Sequence, residues 1–342
     1  MATFLKKDIK DLQIGLDVGT FSVKSIAVSH AGPKPQLLSF SIKDIGDNVV
    51  SAIKDAHAEL GFTRTRVVVS ISGPAVIVRY VELPAMSDED LQEATRFEAE
   101  KVIPYDIGEV ELDSIKMEGL EGNRMRAIIV AAKKDLIDSQ LKLVSEAGLE
   151  ATAIDIDSFA IMNAFTEAGI DKENVCGLLN IGSKKSNLNI IKGDKSYLSR
   201  DIDMGDEQIS EIIAESKSIP KGEALKFKKE KMDKFAELSE EDKKAIQGPV
   251  ADVLSKLSDE VRLSFDFYEN HYAGNVAKVY ISGGTVKPGL FDSMLKEALG
   301  RDVSKWDPFA GMDISEKIDT ARLKIVKPQL AVAAGLALRR PE

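Results

Sequence analysis

Twice along this chain an apolar strand runs into a glycine turn and emerges as a second apolar strand. Leu12 to Val28 reads LQIGLDVGTFSVKSIAV, and Cys176 to Lys192 reads CGLLNIGSKKSNLNIIK. A third strand follows each, at Gln36–Ile42 and Lys195–Ile202, and then a helix, at Asn48–Leu60 and Glu207–Glu215. The order of elements repeats although the residues do not, which points to a duplicated α/β fold with a cleft between its halves. Gly19 marks the first turn, where a narrow reversal often needs φ above zero. Asp17 stands at the turn mouth, where a carboxylate can hold a hydrated cation. Thr20 and Ser22 offer hydroxyls and backbone N–H groups to an anion, and Lys24 offers a positive charge. Taken alone, the stretch favours an ordinary Asp-x-Gly hairpin, since such turns are common.

The intervening and following residues divide by pattern. Arg66–Ser72 and Val76–Leu83 read as strands. A separate α+β module follows. Its first helix is capped by Ser87 and ends near Val102 before Pro104. A hairpin, Glu109–Met117 with Arg124–Ala131, comes next, then a helix from Lys134 to Ala147 and a strand from Leu149 to Ile156. The helix Ser158–Ala168 then leads to the second repeat. Residues 216–247 interleave Lys226, Lys228, Lys229, Lys231 and Lys234 with Glu230, Asp233 and Glu237, which predicts a solvated helical face. Pro249 to Tyr272 predicts an amphipathic helix with Val250, Val253, Leu254, Leu257, Val261, Phe265 and Tyr268 as its buried stripe. The strand Val276–Ser282 ends in a third glycine turn, Gly283-Gly284-Thr285, before a helix at Pro288–Leu299. The small-residue helix Pro328–Arg339 suits close packing against a sheet.

Composition removes several function classes. A net charge of −10 argues against nucleic acid as the main partner. One cysteine, Cys176, excludes an intrachain disulfide and fits a reducing compartment. No run of about 18 apolar residues occurs, so no membrane span is expected. The first residues lack a signal-peptide core, so membrane association is expected to come through a partner. His30, His57 and His271 show no metal-ligand spacing. The P-loop, dinucleotide, zinc-hydrolase and nucleophile-elbow signatures are absent, leaving the three glycine turns. The first two could grip phosphates from opposite sides. The third would let a nucleoside approach the backbone closely.

On these residues a resemblance can be stated. IGLDVGTFSVK resembles the first phosphate motif of the superfamily of actin, heat-shock chaperones and sugar kinases, and VYISGGTVKPGLF resembles its adenosine motif. VRYVELPAMSDEDLQEATRFEAEKVIPYDI, IIVAAKKDLIDSQLKLVSEAGLEATAIDIDSFAIMNAF, LSDEVRLSFDFY and AVAAGLALR resemble the PilM family of type IV pilus assembly proteins. The implied fold is a duplicated actin-like (ribonuclease H-like) one around a nucleotide cleft, with an α+β insert of the kind PilM shares with FtsA. Residues 1–83 would form the first half, completed by 157–175 and 326–342, with 84–156 as the insert. Residues 176–215 and 273–325 would form the second half, and 216–272 its smaller subdomain.

The resemblance also implies ligands and roles. ATP and Mg2+ would occupy the cleft, with Asp17 holding the metal through water. Gly19, Thr20, Phe21, Ser22 and Lys24 would line the first phosphate turn, and Gly182 and Ser183 would close from the other side. Gly205 would lie near the nucleotide. Gly283, Gly284 and Thr285 would flank the adenosine, as would Glu223 and Lys226, which otherwise read as a surface pair three residues apart on a helix. Asp157 falls where relatives place a residue that orients the attacking water, and is otherwise a helix N-cap. Lys184 and Lys185 read either as a solvated turn or as phosphate ligands.

Two departures matter. Asn180 stands where the second phosphate turn usually begins with Asp, and Met204 precedes Gly205 where relatives often have glycine. An amide brings no charge to organise Mg2+ or water, and a methionine is expected to crowd the pocket. Hydrolysis is therefore expected to be slow or absent, while binding persists over many contacts. The implied function is a cytoplasmic ATP-binding adaptor, peripheral at the inner membrane through the N-terminal cytoplasmic tail of a PilN-like protein. Bound nucleotide would set the angle between the halves and so the shape of a peptide groove beside the insert. Homo-oligomers, an active ATPase or kinase, and an FtsA-like filament are the alternatives.

Overall fold

A computed structural model describes residues 11–233, 235–272, 274–286 and 291–339. The first ten residues, Lys234 and the Pro288 helix start lie outside the described residues.

β1 (Leu12–Val18), β2 (Ser22–Ser29) and β3 (Gln36–Asp44) form an antiparallel meander, and α1 (Val49–Leu60) leads into β4 (Arg66–Ile71). Asn48 caps α1, accepting from the Ser51 N–H, and Gly61 ends it at φ +79°. There follow β5 (Val76–Pro84), α2 (Asp88–Val102), β6 (Val110–Leu120), β7 (Arg124–Lys133), α3 (Lys134–Glu146) and β8 (Glu150–Ile156). α4 (Asp157–Glu167) precedes the second meander, β9 (Val175–Ile181), β10 (Ser186–Lys192) and β11 (Lys195–Ile202). Then come α5 (Asp206–Lys217), α6 (Lys221–Asp233), α7 (Glu240–His271), β12 (Lys278–Ser282) and α8 (Phe291–Leu299). β13 (Asp302–Lys305), β14 (Asp313–Ile314), α9 (Thr320–Val326) and α10 (Ala331–Leu338) complete the described chain.

The duplication is plain in the strand order. One sheet runs β14-β3-β2-β1-β4-β8 and the other β11-β10-β9-β12-β13. Apart from the short β14, each is a three-strand meander whose first strand pairs in parallel with the next strand of its own half. This is the expected duplicated actin-like fold. A third, antiparallel sheet, β5-β7-β6, is interposed between β4 and β8. The register also matches: Asp17 lies opposite Lys24 across the first turn, and Asn180 opposite Asn187 across the second.

One apolar core joins the halves. α4 and α10 pack together with Ile26, Leu37 and Val68 of the first sheet and with Cys176, Leu178 and Tyr280 of the second. Hydrogen bonds reinforce this junction, between the Ser158 and Ser199 hydroxyls at 2.7 Å and from Asn189 Nδ2 to the Ser158 carbonyl at 3.1 Å. The third sheet touches the second half where the Tyr80 hydroxyl meets that of Ser196 at 2.6 Å.

Several expectations need correction. The long helix starts at Glu240, not Pro249, which lies inside it. Ser239 caps the earlier start by accepting from the Asp242 N–H, three acidic residues fill the first turn, and Ile246 extends the buried stripe beyond the proline. That continuous packing outweighs the local preference of proline for a helix start. We expect Ser239→Ala to cost about 1 kcal/mol locally, read as faster amide exchange in the first turn of α7 with later turns unchanged. The solvated face expected across α6 is also interrupted, because Ala224 and Lys228 are buried. The terminal helix begins as a short 3-10 turn, Lys327–Leu330, before α10.

Candidate functional site: a cleft at three glycine turns

The three glycine turns converge. A cavity of about 510 Å3 opens between the halves, lined by Asp17, Gly19, Thr20, Phe21, Ser22 and Lys24 on one side. Gly182 and Ser183 line it from the other half, Gly284 and Thr285 from the end of β12, and Asp157 from the start of α4. Lys184 and Lys185 also face it. Gly205, Gly283, Glu223 and Lys226 do not line it.

Close backbone approach calls for glycine at Gly182, Gly205 and Gly283, and φ is positive at Gly283 alone among Gly19, Gly182, Gly205, Gly283 and Gly284. The expectation of a positive φ at Gly19 is therefore not met. A Cβ on Gly19 would meet the mobile end of Lys24 (Nζ at 2.8 Å) and the Ser22 carbonyl oxygen at 3.1 Å, whereas one on Gly182 would meet the fixed Lys185 carbonyl oxygen at 2.7 Å. Gly283 combines φ +111° with the same crowding, since a Cβ there would stand 2.2 Å from the Ile181 carbonyl oxygen. Gly205 acts from behind: a Cβ there would meet the carbonyl oxygens of Gly182 and Ser183, each at 2.6 Å. Those two carbonyls accept from the N–H groups of Asp206 and Glu207, so the start of α5 braces the second turn. Thr285 ties the third turn to it, donating to the Gly182 carbonyl at 3.2 Å.

The cleft floor is charged. Asp17 is buried and pairs with Lys24 at 3.2 Å. Burial pushes its carboxyl above the ordinary carboxylate range; Lys24 opposes that push and the nearby Asp157 adds to it. A second cation in this floor would relieve both effects. Asp157 is not the helix cap that its position suggests. Ile156 occupies the cap position, and the Asp157 carboxylate instead accepts from Ser70 Oγ at 2.7 Å and Ser72 Oγ at 2.6 Å. In the second half the equivalent pair is neutral. Asn180 donates to Asn187 at 3.2 Å and accepts from Ser282 at 3.2 Å, so its amide is held on both sides. Met204 does not line the cavity. It packs against the core around α7, because Ser186 anchors its carbonyl at 2.7 Å and turns the chain away.

Sequence reasoning missed part of the wall. Glu223 and Lys226 are exposed, and α6 presents Leu225, Lys228, Lys229 and Met232 instead. Lys228 is 3% exposed and is held by the Asp206 carboxylate and, at 3.0 Å, the Asp206 carbonyl. Burial lowers its pKa from the ordinary lysine value. Lys229 bridges the mouth, 3.3 Å from Asp44 and over the Phe21 ring. Gln140 of α3 also lines the cavity, with a buried Nε2 that has no hydrogen-bond partner. An unpartnered donor, crowded glycines and a carboxylate–lysine floor together suit a polyanion accompanied by a divalent cation. Among the described residues no group of three or more acidic, histidine or cysteine side chains could hold a metal alone. A single carboxylate such as Asp17 is the kind of protein ligand Mg2+ takes when phosphates and water supply the rest.

A second cavity, about 490 Å3, lies beside the third sheet. Ile71, Ile115, Met117, Ile128, Val130 and Phe159 make much of its wall, with Asp155 and Arg339 at one side and Asp194 and Lys195 of the second half at another. Among the described residues no helix is long and apolar enough to cross a membrane.

Comparison with known proteins agrees with this architecture. In the solved "PilM-PilN type IV pilus biogenesis complex", a chain 26% identical matches at TM-score 0.84, covering 96% of this chain and 98% of that one. Two more distant structures share the fold. The ethanolamine utilization protein EutJ from Carboxydothermus hydrogenoformans matches at TM-score 0.57 and 17% identity, covering 97% of this chain and 90% of that one. A diol dehydratase-reactivating factor matches at 0.58 and 10%, covering 96% and 99%. A sequence model of the type IV pilus assembly protein PilM matches residues 6–341, so the chain belongs to the PilM family.

Proposed function

We propose that this chain is an ATP-binding adaptor of type IV pilus assembly. The observation that carries the reading is the convergence of three glycine turns, Asp17 and Lys24 on one cavity between two duplicated halves. Asp17 would hold Mg2+ through water. The turns at Gly19 and Gly182, with Thr20, Ser22, Lys24 and Ser183, would hold phosphates. Gly284 and Thr285 would lie against the adenosine, with Gly205 and Gly283 shaping the turns from behind. Leu225, Lys228 and Met232 are better placed than Glu223 and Lys226 for the remaining nucleoside contacts. The bound group would supply charge and shape, and the chain would orient it and shield it from water.

The second cavity would seat the partner. Its apolar floor and mixed charged rim suit a short peptide with apolar anchors, and the structure of the related PilM with PilN names the partner class. The N-terminal tail of a PilN-like inner-membrane protein is the proposed occupant, which would hold the chain at the cytoplasmic face of the membrane. Calorimetric titrations with Mg2+ plus ATP, and separately with a synthetic tail peptide, test the two halves of the reading. Saturable heats for both are expected, and absence of both would remove it.

A pH dependence follows from Asp17. A cation binds the deprotonated carboxylate, and its raised pKa lets protons compete at a higher pH than for an ordinary carboxylate. Mg2+-dependent ATP binding is therefore expected to weaken as pH falls, before the ordinary aspartate range is reached. A flat profile down to that range would contradict the role of Asp17.

Slow hydrolysis is a second reading, favoured by one observation: Ser70 and Ser72 hold the Asp157 carboxylate at the cavity. With neutral Asn180 on the opposite side, turnover is expected to be weak. Slow phosphate release above background, lost in Asp157→Ala, would establish it.

A further inference from the structure

The two cavities share a wall one side chain thick. Ile71 lines both of them. Its neighbours Ser70 and Ser72 line the nucleotide cleft, as alternation at a strand end requires. Ile71 lies beside Ile156 in the parallel ladder between β4 and β8, and Ile156 lines the apolar groove. The next residue, Asp157, lines the cleft and is gripped by both serine hydroxyls. α3 repeats the division: Leu136 and Gln140, four residues apart on one helix face, line the cleft, while Ile137 lines the groove.

From this arrangement we infer that the partition Ser70–Ile71–Ser72, clamped to Asp157, couples nucleotide binding to peptide binding. The inference rests on the proposed occupants of the two cavities. Asp157 and Asp17 repel each other across the floor. A cation and polyphosphate in the cleft change the charge that Asp157 faces. The two serine hydroxyls favour passing a resulting shift to the backbone that carries Ile71, because holding both hydrogen bonds while Asp157 moves draws both ends of the three-residue segment with it. Dense packing turns a small shift into a changed groove floor. Ser70 and Ser72 are thus positioning residues, acting through Asp157. This route runs within the first half and its insert and needs no change in the angle between the halves.

The test is a coupling cycle. The affinity of the tail peptide is measured by titration with and without Mg2+ plus ATP, and the affinity of ATP with and without peptide. In the wild type the two ratios are expected to be equal, as linkage demands, and about fivefold or more in either direction. In the Ser70→Ala/Ser72→Ala double variant both ratios are expected to fall toward one, whereas Ser72→Thr, which keeps the hydroxyl, retains them. If the double variant does not fold, Ser72→Ala alone, beyond the strand end, is expected to reduce the ratio. A wild-type ratio of one, or a full ratio surviving loss of the hydroxyls, overturns the inference while leaving both binding sites standing. Failure of the wild type to bind either ligand removes the functional reading and this inference with it.

Discussion

Gly335→Val is expected to destabilise the native fold severely. Gly335 lies in α10, buried where that helix crosses α4, and a Cβ added there would stand 1.6 Å from the Ala160 carbonyl oxygen and 2.3 Å from its carbon. The obstacle is backbone, so no rotamer change relieves it. On its sheet-facing side α10 is equally tight, since a Cβ on Gly15 of β1 would meet the Ala333 carbonyl oxygen at 2.2 Å and the Ala337 nitrogen at 2.6 Å. The helix therefore cannot back away from α4 without driving into β1. Overpacking ordinarily costs about 1–3 kcal/mol because neighbours yield. Here both neighbours are main chain, and a cost of about 4 kcal/mol or more is expected, a large part of the whole stability of a domain. Thermal unfolding followed by circular dichroism reads it directly. A melting temperature within a few degrees of wild type would mean that α4 and α10 do not meet as described.

The second large effect is expected at Asp17. Replacing it by asparagine keeps the shape of the turn, removes the buried carboxylate and leaves Lys24 without its partner at 3.2 Å. A loss of about a hundredfold in Mg2+-dependent ATP affinity is expected, or ~2.8 kcal/mol at 1.4 kcal/mol per decade. Asn180 bounds the alternative. In the second half the matching position is already an amide, paired with Asn187, so of the two matching positions only Asp17 would offer a metal a charged contact. Exchanging Asn180 for Asp is expected to disturb affinity far less than Asp17→Asn does. Equal affinities in wild type and Asp17→Asn would show that the cation, if bound, is held elsewhere.

Much of this was legible in the sequence because it is local. The first two glycine turns sit between strands that carry their own apolar pattern, so the repeated strand–strand–strand–helix unit was readable from two short stretches, whereas the order of strands within each sheet came from the structure. The stripe of α7 was readable from Val250 to Tyr268 because helical spacing repeats it. What stayed hidden depends on residues distant in the chain. Lys228 looks like one more charge in a solvated run, and its burial comes from Asp206 on another helix. Asp157 looks like a cap, yet its partners are Ser70 and Ser72 on β4 and the loop beyond it. Gln140 is an ordinary polar residue on its helix and acquires meaning from the cavity beside it. Met204 reads as an obstruction, but the direction of its side chain is set by the core around α7. Short elements such as β13, β14 and α9 carry too few residues for periodicity to register.

Where a nucleotide goes is tested most directly by a diffraction structure of the chain with Mg2+ and a non-hydrolysable ATP analogue. It is expected to show the phosphates between the turns at Gly19 and Gly182, the metal joined to Asp17 through water, and the nucleoside against Gly284 and α6. A nucleotide bound outside this cleft, or phosphates that approach neither turn, would contradict it.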